Sequence, residues 1–270
     1  MRSAKGVLVA TAAVVLAAAG PLAVSGSGSA TGLLWEEVKP TTSMPQQADL
    51  ALGRRVYDTH CLACHGQAGD GRSSASLFLP ISPRDFTSGT FKYHSSSSAL
   101  PSDTDLFRTI TVGFPAFGMP SFRQLSEEDR WAVLSLVKTF YPRWQKDEED
   151  EEPVDPGAEP RRQPGWEKRG KELYEDLFEC AKCHGLMGHA DGPSAPTLRD
   201  HWGNRIEAVD FSLGPVFRKN GWRPRDTVRI LMTGISGTPM PAYWFEGQDR
   251  TRLWEVSWHV EFLGEDRADD

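Results

Sequence analysis

The sequence predicts a mainly α protein made of two small helical domains in tandem, and three observations carry that expectation. Two stretches of 99 residues, 46–144 and 166–264, repeat one another. Each closes on apolar residues at helical spacing, and no alternating strand pattern of any length lies between the helices. At 270 residues, 39% hydrophobic and 25% charged, the chain has the length for one large or two small domains, which excludes a wholly disordered or collagenous protein. Lys and Arg number 30 against 37 Asp and Glu; the resulting charge of −7 argues against general binding to nucleic acid.

The N-terminus comes first. Arg2 and Lys5 precede an apolar run from Gly6 to Val24, and small residues follow from Ser25 to Ala30. A charged, then apolar, then cleavable segment is the pattern of an export signal, so residues 1–30 are expected to direct the chain out of the cytoplasm. The run of 19 residues lies at the lower edge of what spans a bilayer, so retention as a membrane anchor through residues 6–24 is the alternative. Its Ala content and Gly20-Pro21 weigh toward cleavage, which would leave a mature charge of about −9.

The first repeat, 46–144, contains Gly53-x-x-x-Tyr57 and Cys61-Leu-Ala-Cys64-His65-Gly66; the second, 166–264, contains Gly170-x-x-x-Tyr174 and Cys180-Ala-Lys-Cys183-His184-Gly185. Asp85-Phe86-Thr87 recurs as Asp210-Phe211-Ser212. Asp105, Arg108, Gly113, Met119 and Pro120 then match Asp226, Arg229, Gly234, Met240 and Pro241 without a gap. The halves differ in one spacing: Tyr174 precedes Cys180 by six positions where Tyr57 precedes Cys61 by four. Ser126 and Asp129 form a capping box ahead of a helix whose stripe is Val133, Leu136, Val137 and Phe140. Leu253, Val256, Val260 and Leu263 make the equivalent stripe in the second half.

Between the repeats, Lys146 is followed by six carboxylates, Asp147 to Glu152, and then by Pro153, Pro156, Gly157, Pro160 and Pro164. So charged and proline-rich a segment is expected to be an extended linker over residues 145–165, with the two halves folding as separate units. Attraction of the acidic run to a basic redox partner is the less plain reading.

All four cysteines fall in the two C-x-x-C-H motifs. The motif is the attachment sequence for c-type haem: two thiols on one tight turn form thioethers to the porphyrin vinyls, and the adjacent histidine reaches the iron. Two halves this small and loop-rich would each bury only a modest core unaided, which agrees with a cofactor filling them. Other readings of the pairs are weaker. The 116 positions from Cys64 to Cys180 far exceed the usual spacer of a zinc site. A thioredoxin-like dithiol needs a βαβ setting, and a disulfide across a two-residue loop is strained and staples little.

Gly-x-x-x-Tyr, C-x-x-C-H-Gly, Gly69-Asp70-Gly71, a later Met-Pro and a closing amphipathic helix together resemble a class I cytochrome c domain, present here twice. The resemblance implies two c-type haems, bound through Cys61, Cys64 and His65 in one half and Cys180, Cys183 and His184 in the other. It also implies iron ligation by His65 with Met119 and by His184 with Met240, since the family's sixth ligand is a methionine on the loop before the last helix. Soft sulfur ligation favours Fe(II) and raises the potential. Met1, Met44, Met187 and Met232 read as ordinary methionines. His60, His94, His189, His201 and His259 do not recur between the halves and read as structural or exposed. Arg108 and Arg229 are candidates for pairing with haem propionates, against the plainer reading of a solvated helix face. Arg218, Lys219, Arg223 and Arg225 beside Trp222 read as a basic solvated loop, or else as a dock for an acidic partner.

With both irons six-coordinate, the resemblance implies a carrier of single electrons on the periplasmic side of the membrane, not an enzyme. Its partners would be redox proteins such as a periplasmic molybdenum oxidoreductase or a respiratory complex. The alternative is a diheme enzyme, peroxidase-like or thiosulfate-oxidising, with one haem open to substrate. Diheme thiosulfate-oxidising enzymes use a cysteine as an axial ligand, and here all four cysteines are taken up by the attachment motifs.

Overall fold

The computed structural model describes residues 38–79, 81–96, 100–147, 153–213, 221, 223–243 and 249–265. The expected signal or anchor (1–30), most of the acidic run, and Arg218, Lys219 and Trp222 lie outside the described residues. Among the described residues the structure is helical, with no strand beyond two isolated bridges, and no helix is long and apolar enough to cross a membrane.

In the first half, α1 (Leu50–His60) starts at Asp49, whose carboxylate accepts the Leu52 N–H at 2.8 Å and so satisfies one of the helix's unpaired donors. The turn α2 (Leu62–His65) follows, then α3 (Asp103–Val112), α4 (Glu127–Thr139) and the short α5 (Trp144–Asp147). At the start of α4, Ser126 Oγ accepts the Asp129 N–H at 3.0 Å and donates to the Asp129 carboxylate at 2.8 Å. The buried face of α4 is wider than a single stripe and runs unbroken from Arg130 to Val137. The helix is covered by α1 and α3 and also lines a cavity with Val133 and Val137.

The second half repeats the plan with α6 (Trp166–Glu172), the turn α7 (Ala181–His184), α8 (Pro224–Thr233) and α9 (Thr251–Glu265). Tyr174, Val228, Leu231, Leu253, Trp254 and Val256 form its core. In both halves the first helix crosses the last at a glycine. A Cβ on Gly53 would stand 2.3 Å from the Ala132 carbonyl oxygen, and one on Gly170 would stand 2.5 Å from that of Glu255. The Gly-x-x-x-Tyr pattern is therefore a backbone contact followed one turn later by a buried tyrosine. Gly170→Ala is expected to lose about 1–3 kcal/mol of stability by prising α6 from α9; chemical denaturation of the holoprotein measures it, and an unchanged midpoint would contradict the close crossing.

The unequal spacing before the second motif is absorbed by a π-helical turn over Leu173–Leu177. The same backbone bond closes both arms: the Cys61 N–H donates to the Tyr57 carbonyl at 2.8 Å, and the Cys180 N–H donates to that of Tyr174, also at 2.8 Å. Tyr174 consequently packs as Tyr57 does. Both are fully buried, and their hydroxyls donate to the Gly185 and Gly66 carbonyls at 2.8 and 2.7 Å. The inserted residues show as strain at Glu179, with φ at 53°.

The expectation that the linker is extended and free is corrected for its described part. Residues 153–165 lie along the second half: Glu159 accepts from Trp258 Nε1 at 2.7 Å, Arg162 pairs with Glu261, and Pro156 is buried. The Val154 N–H donates to the Ser95 carbonyl of the first half at 2.7 Å. The halves also meet directly, with His94 Nε2 2.8 Å from Ser236 Oγ and the Arg84 guanidinium 4.5 Å from the centre of the Trp202 ring. Proline and carboxylate composition marks a segment that builds no core of its own, yet it still finds partners on a neighbour.

Candidate functional site

Each C-x-x-C-H motif is a single helical turn ended by a glycine in the left-handed region, Gly66 at φ 77° and Gly185 at φ 80°. The turn places Cys61, Cys64 and His65 on the wall of one cavity and Cys180, Cys183 and His184 on that of another. His65 Nδ1 lies 3.3 Å from the Arg84 carbonyl and His184 Nδ1 lies 3.0 Å from the Val209 carbonyl, the equivalent residue of the repeat. A carbonyl can only accept, so Nδ1 carries the proton and the lone pair sits on Nε2. The rings are also held by stacking, on Phe86 at 4.5 Å and on Phe211 at 4.7 Å.

Burial disfavours the charged form of five of these groups. Burial lowers His65 to about 4, and burial likewise holds His184 below its ordinary value. Burial pushes Cys61 and Cys180 up to about 12, and raises Cys183 as well. Thiols shifted this way are poor thiolates, unlike the reactive member of a redox dithiol or a zinc ligand. Among the described residues, no cluster of three or more His, Cys, Asp or Glu is placed to hold a metal ion.

Met119 and Met240 line the same cavities as the motif histidines. The Phe114 N–H donates to the Met119 carbonyl at 2.7 Å, and the Ile235 N–H donates to that of Met240 at 3.1 Å. Each loop leaves its helix through a glycine tucked against the Met-Pro backbone: a Cβ on Gly113 would stand 2.2 Å from the Pro120 oxygen. The first cavity has two lobes, about 710 and 920 Å³, that share His65, Phe86, Ile110, Phe117, Met119 and Val137. The second spans about 1330 Å³, part of it open to solvent, and is mostly apolar, with Leu231, Val256 and Val260 among its walls. A large apolar cavity holding two cysteine thiols, a neutral imidazole with an available lone pair and a thioether fits a covalently attached haem in donor type and in polarity.

Other candidates from the sequence fall elsewhere. Arg108 and Arg229 line neither cavity: Arg108 Nε donates to the Val38 carbonyl at 3.0 Å, and Arg229 pairs with the buried Asp226 at 3.2 Å. They are thus not a plain solvated face, and neither lines a described cavity. Arg225 binds the segment before the second half, through Asp155 at 3.0 Å and the Gly157 carbonyl. Of the spare histidines only His60 reaches a cavity wall; His94, His189, His201 and His259 are engaged in packing or hydrogen bonds. Sequence reasoning passed over Arg84, Lys92 and Tyr93, which line the second lobe of the first cavity. The repeat concealed Arg84, because its counterpart is the apolar Val209.

Comparison with known proteins agrees with this geometry. The family model described as cytochrome c oxidase, cbb3-type, subunit III matches residues 48–137 and again residues 167–256. The chain is similar to a thiosulfate dehydrogenase of Allochromatium vinosum, 32% identical over 110 residues, covering 38% of this chain and 36% of that protein. The match thus spans about a third of that relative's length. Among solved structures it is similar to a chain of the Kuenenia stuttgartiensis reducing HAO-like protein complex, with 33% identity and a TM-score of 0.75 over 83% of this chain and all of that one.

Proposed function

The chain belongs to the cytochrome c family of the cbb3-type oxidase subunit III, whose domain it carries twice, and from that membership we propose that it is an exported carrier of single electrons using two c-type haems with His/Met ligation. The observation that carries the reading is the pairing, in each cavity, of a neutral motif histidine with the Met-Pro methionine. Cys61 and Cys64, and Cys180 and Cys183, would hold the cofactors as thioethers; His65 with Met119, and His184 with Met240, would fill both axial positions. A haem bound this way supplies a reversible one-electron couple, raised by the soft sulfur.

The remaining work is done by the chain itself. Phe86 and Phe211 hold the imidazoles flat, and the Arg84 and Val209 carbonyls fix the tautomer and make the rings better donors. The apolar walls would limit the access of water to a bound iron. Exposed Leu77 and Phe78 in one half, and Leu186 and Met187 in the other, lie beside the motif turns and offer apolar contact to a redox partner. Such a partner fits the solved relative, which belongs to a protein complex; a periplasmic molybdenum oxidoreductase or a respiratory complex has the required chemistry. Periplasmic location, free or at the outer face of the membrane, is part of the same proposal.

Mass spectrometry of the denatured protein tests the reading: two covalent haems and no thiol open to alkylation are expected, and one haem or none would refute it. The similarity to thiosulfate dehydrogenase favours a second reading, a diheme enzyme with one iron open to a small substrate. Turnover of thiosulfate or peroxide by the unmodified protein would establish that reading over the carrier.

A further inference from the structure

The two cavities share a wall. Ile81, Lys92 and Tyr93, all from the first half, line both the second lobe of the first cavity and the cavity of the second half. Arg84 stands at the same place in the first cavity and reaches across to Trp202. Two cations are therefore gathered at the junction, and the protein satisfies them only in part. Arg84 Nη1 is buried with no hydrogen-bond partner, and Lys92 makes no hydrogen bond or ion pair with a described residue. Asp200 acts on both cations at a distance and Asp85 on Arg84, but neither forms an ion pair with them among the described residues; the Asp200 oxygens bond within their own turn, Oδ1 accepting from the Asn204 and Trp202 N–H groups at 2.8 and 3.1 Å and Oδ2 from Asn204 Nδ2 at 3.2 Å. Burial and the neighbouring Arg84 push Lys92 down to about 8. Desolvated cations with no carboxylate in direct contact are costly, so such a pair favours a further anion at this wall.

The attachment chemistry supplies one. A c-type haem is fixed by its vinyl edge and carries its carboxylates on the opposite edge. In the first cavity the cysteines line one lobe while Arg84, Lys92 and Tyr93 line the other. We propose that Lys92, with Arg84, forms a cationic wall shared by the two cavities that receives porphyrin carboxylates from both sides, so that the first half completes the cofactor site of the second and couples the two centres. The proposal rests on the reading of two attached haems. It differs from the expectation of independent halves, and it replaces Arg108 and Arg229 with residues that line the cavities.

The test is a potentiometric titration of Lys92→Met followed at haem-specific spectral signals, with the haem count taken by mass on the same preparation. Removing a cation disfavours the reduced state, so both centres are expected to become harder to reduce, by roughly tenfold in the reduced-to-oxidised ratio, or ~59 mV for one electron. Lys92→Arg should hold both near their original values. A shift confined to the first centre, or none, in a variant carrying two haems overturns the proposal, whereas a missing haem points instead at the reading of the sites. Should Lys92→Met fail to mature, the unmodified protein still decides: the oxidation state of each haem should move the potential of the other, and two independent one-electron curves would count against a common wall.

Discussion

Met240→Ala is expected to convert a protein whose reduced form is inert to carbon monoxide into one that binds one equivalent, with the midpoint potential of the second haem falling on the order of 0.1 V, inside the ~0.8 V that axial ligation spans. Met119→Ala should do the same for the first. The loops that carry these residues are held by backbone, not by the side chains removed. Ile235 and Phe114 N–H groups donate to the two methionine carbonyls, and Thr238 Oγ1 accepts the Met240 N–H at 3.2 Å. Truncation should therefore open a coordination position and leave the loop in place. Equilibrium carbon monoxide titration of each reduced variant reads the result. Stoichiometric binding by the unmodified protein would show that one assigned methionine is not a ligand.

The second large effect concerns folding. Replacing Cys180 and Cys183 by alanine should leave one covalent haem and a second half that does not hold its native structure. The cavity there is lined mainly by apolar residues, so without a cofactor it must collapse or stand empty. At about 24 cal/mol per Å³, even a dry void of roughly 200 Å³ costs about 5 kcal/mol, which rivals the whole stability of a small domain, about 5–15 kcal/mol. Limited proteolysis should cut the second half of the variant first and spare it in the parent. Equal resistance in both would mean that the helices α6, α8 and α9 suffice without the cofactor.

Much of this was legible in the residues. The repeat, the motif turns and the Met-Pro loops are local patterns whose spacing is dictated by helix geometry and by attachment chemistry, so they survive reading one residue at a time. The glycines at 53 and 170 were visible as a pattern, but their reason, a carbonyl within 2.3 or 2.5 Å of a would-be Cβ, lies on a helix far along the chain. The π-helical turn before Cys180 could not be read, because spacing alone does not say whether extra residues displace a tyrosine or widen a helix. Composition failed for residues 153–165, since polarity predicts that a segment forms no core but not whether it docks on one. Arg84 and Lys92 carried no signal at all: their significance comes from which cavities they face.

The contact between the halves is head to tail. The first half uses residues 81–94, while the second uses Trp202, Ser236 and Gly237 among others; Ser236 corresponds in the repeat to Pro115, which lies outside that first segment. Joined this way, units of a repeat can in principle add indefinitely, as in a solenoid, unless the open end is altered. Here the two ends differ: the position that reaches across as Arg84 in the first half is the apolar Val209 in the second, so the contact Arg84 makes with Trp202 has no equivalent from that position of the second half.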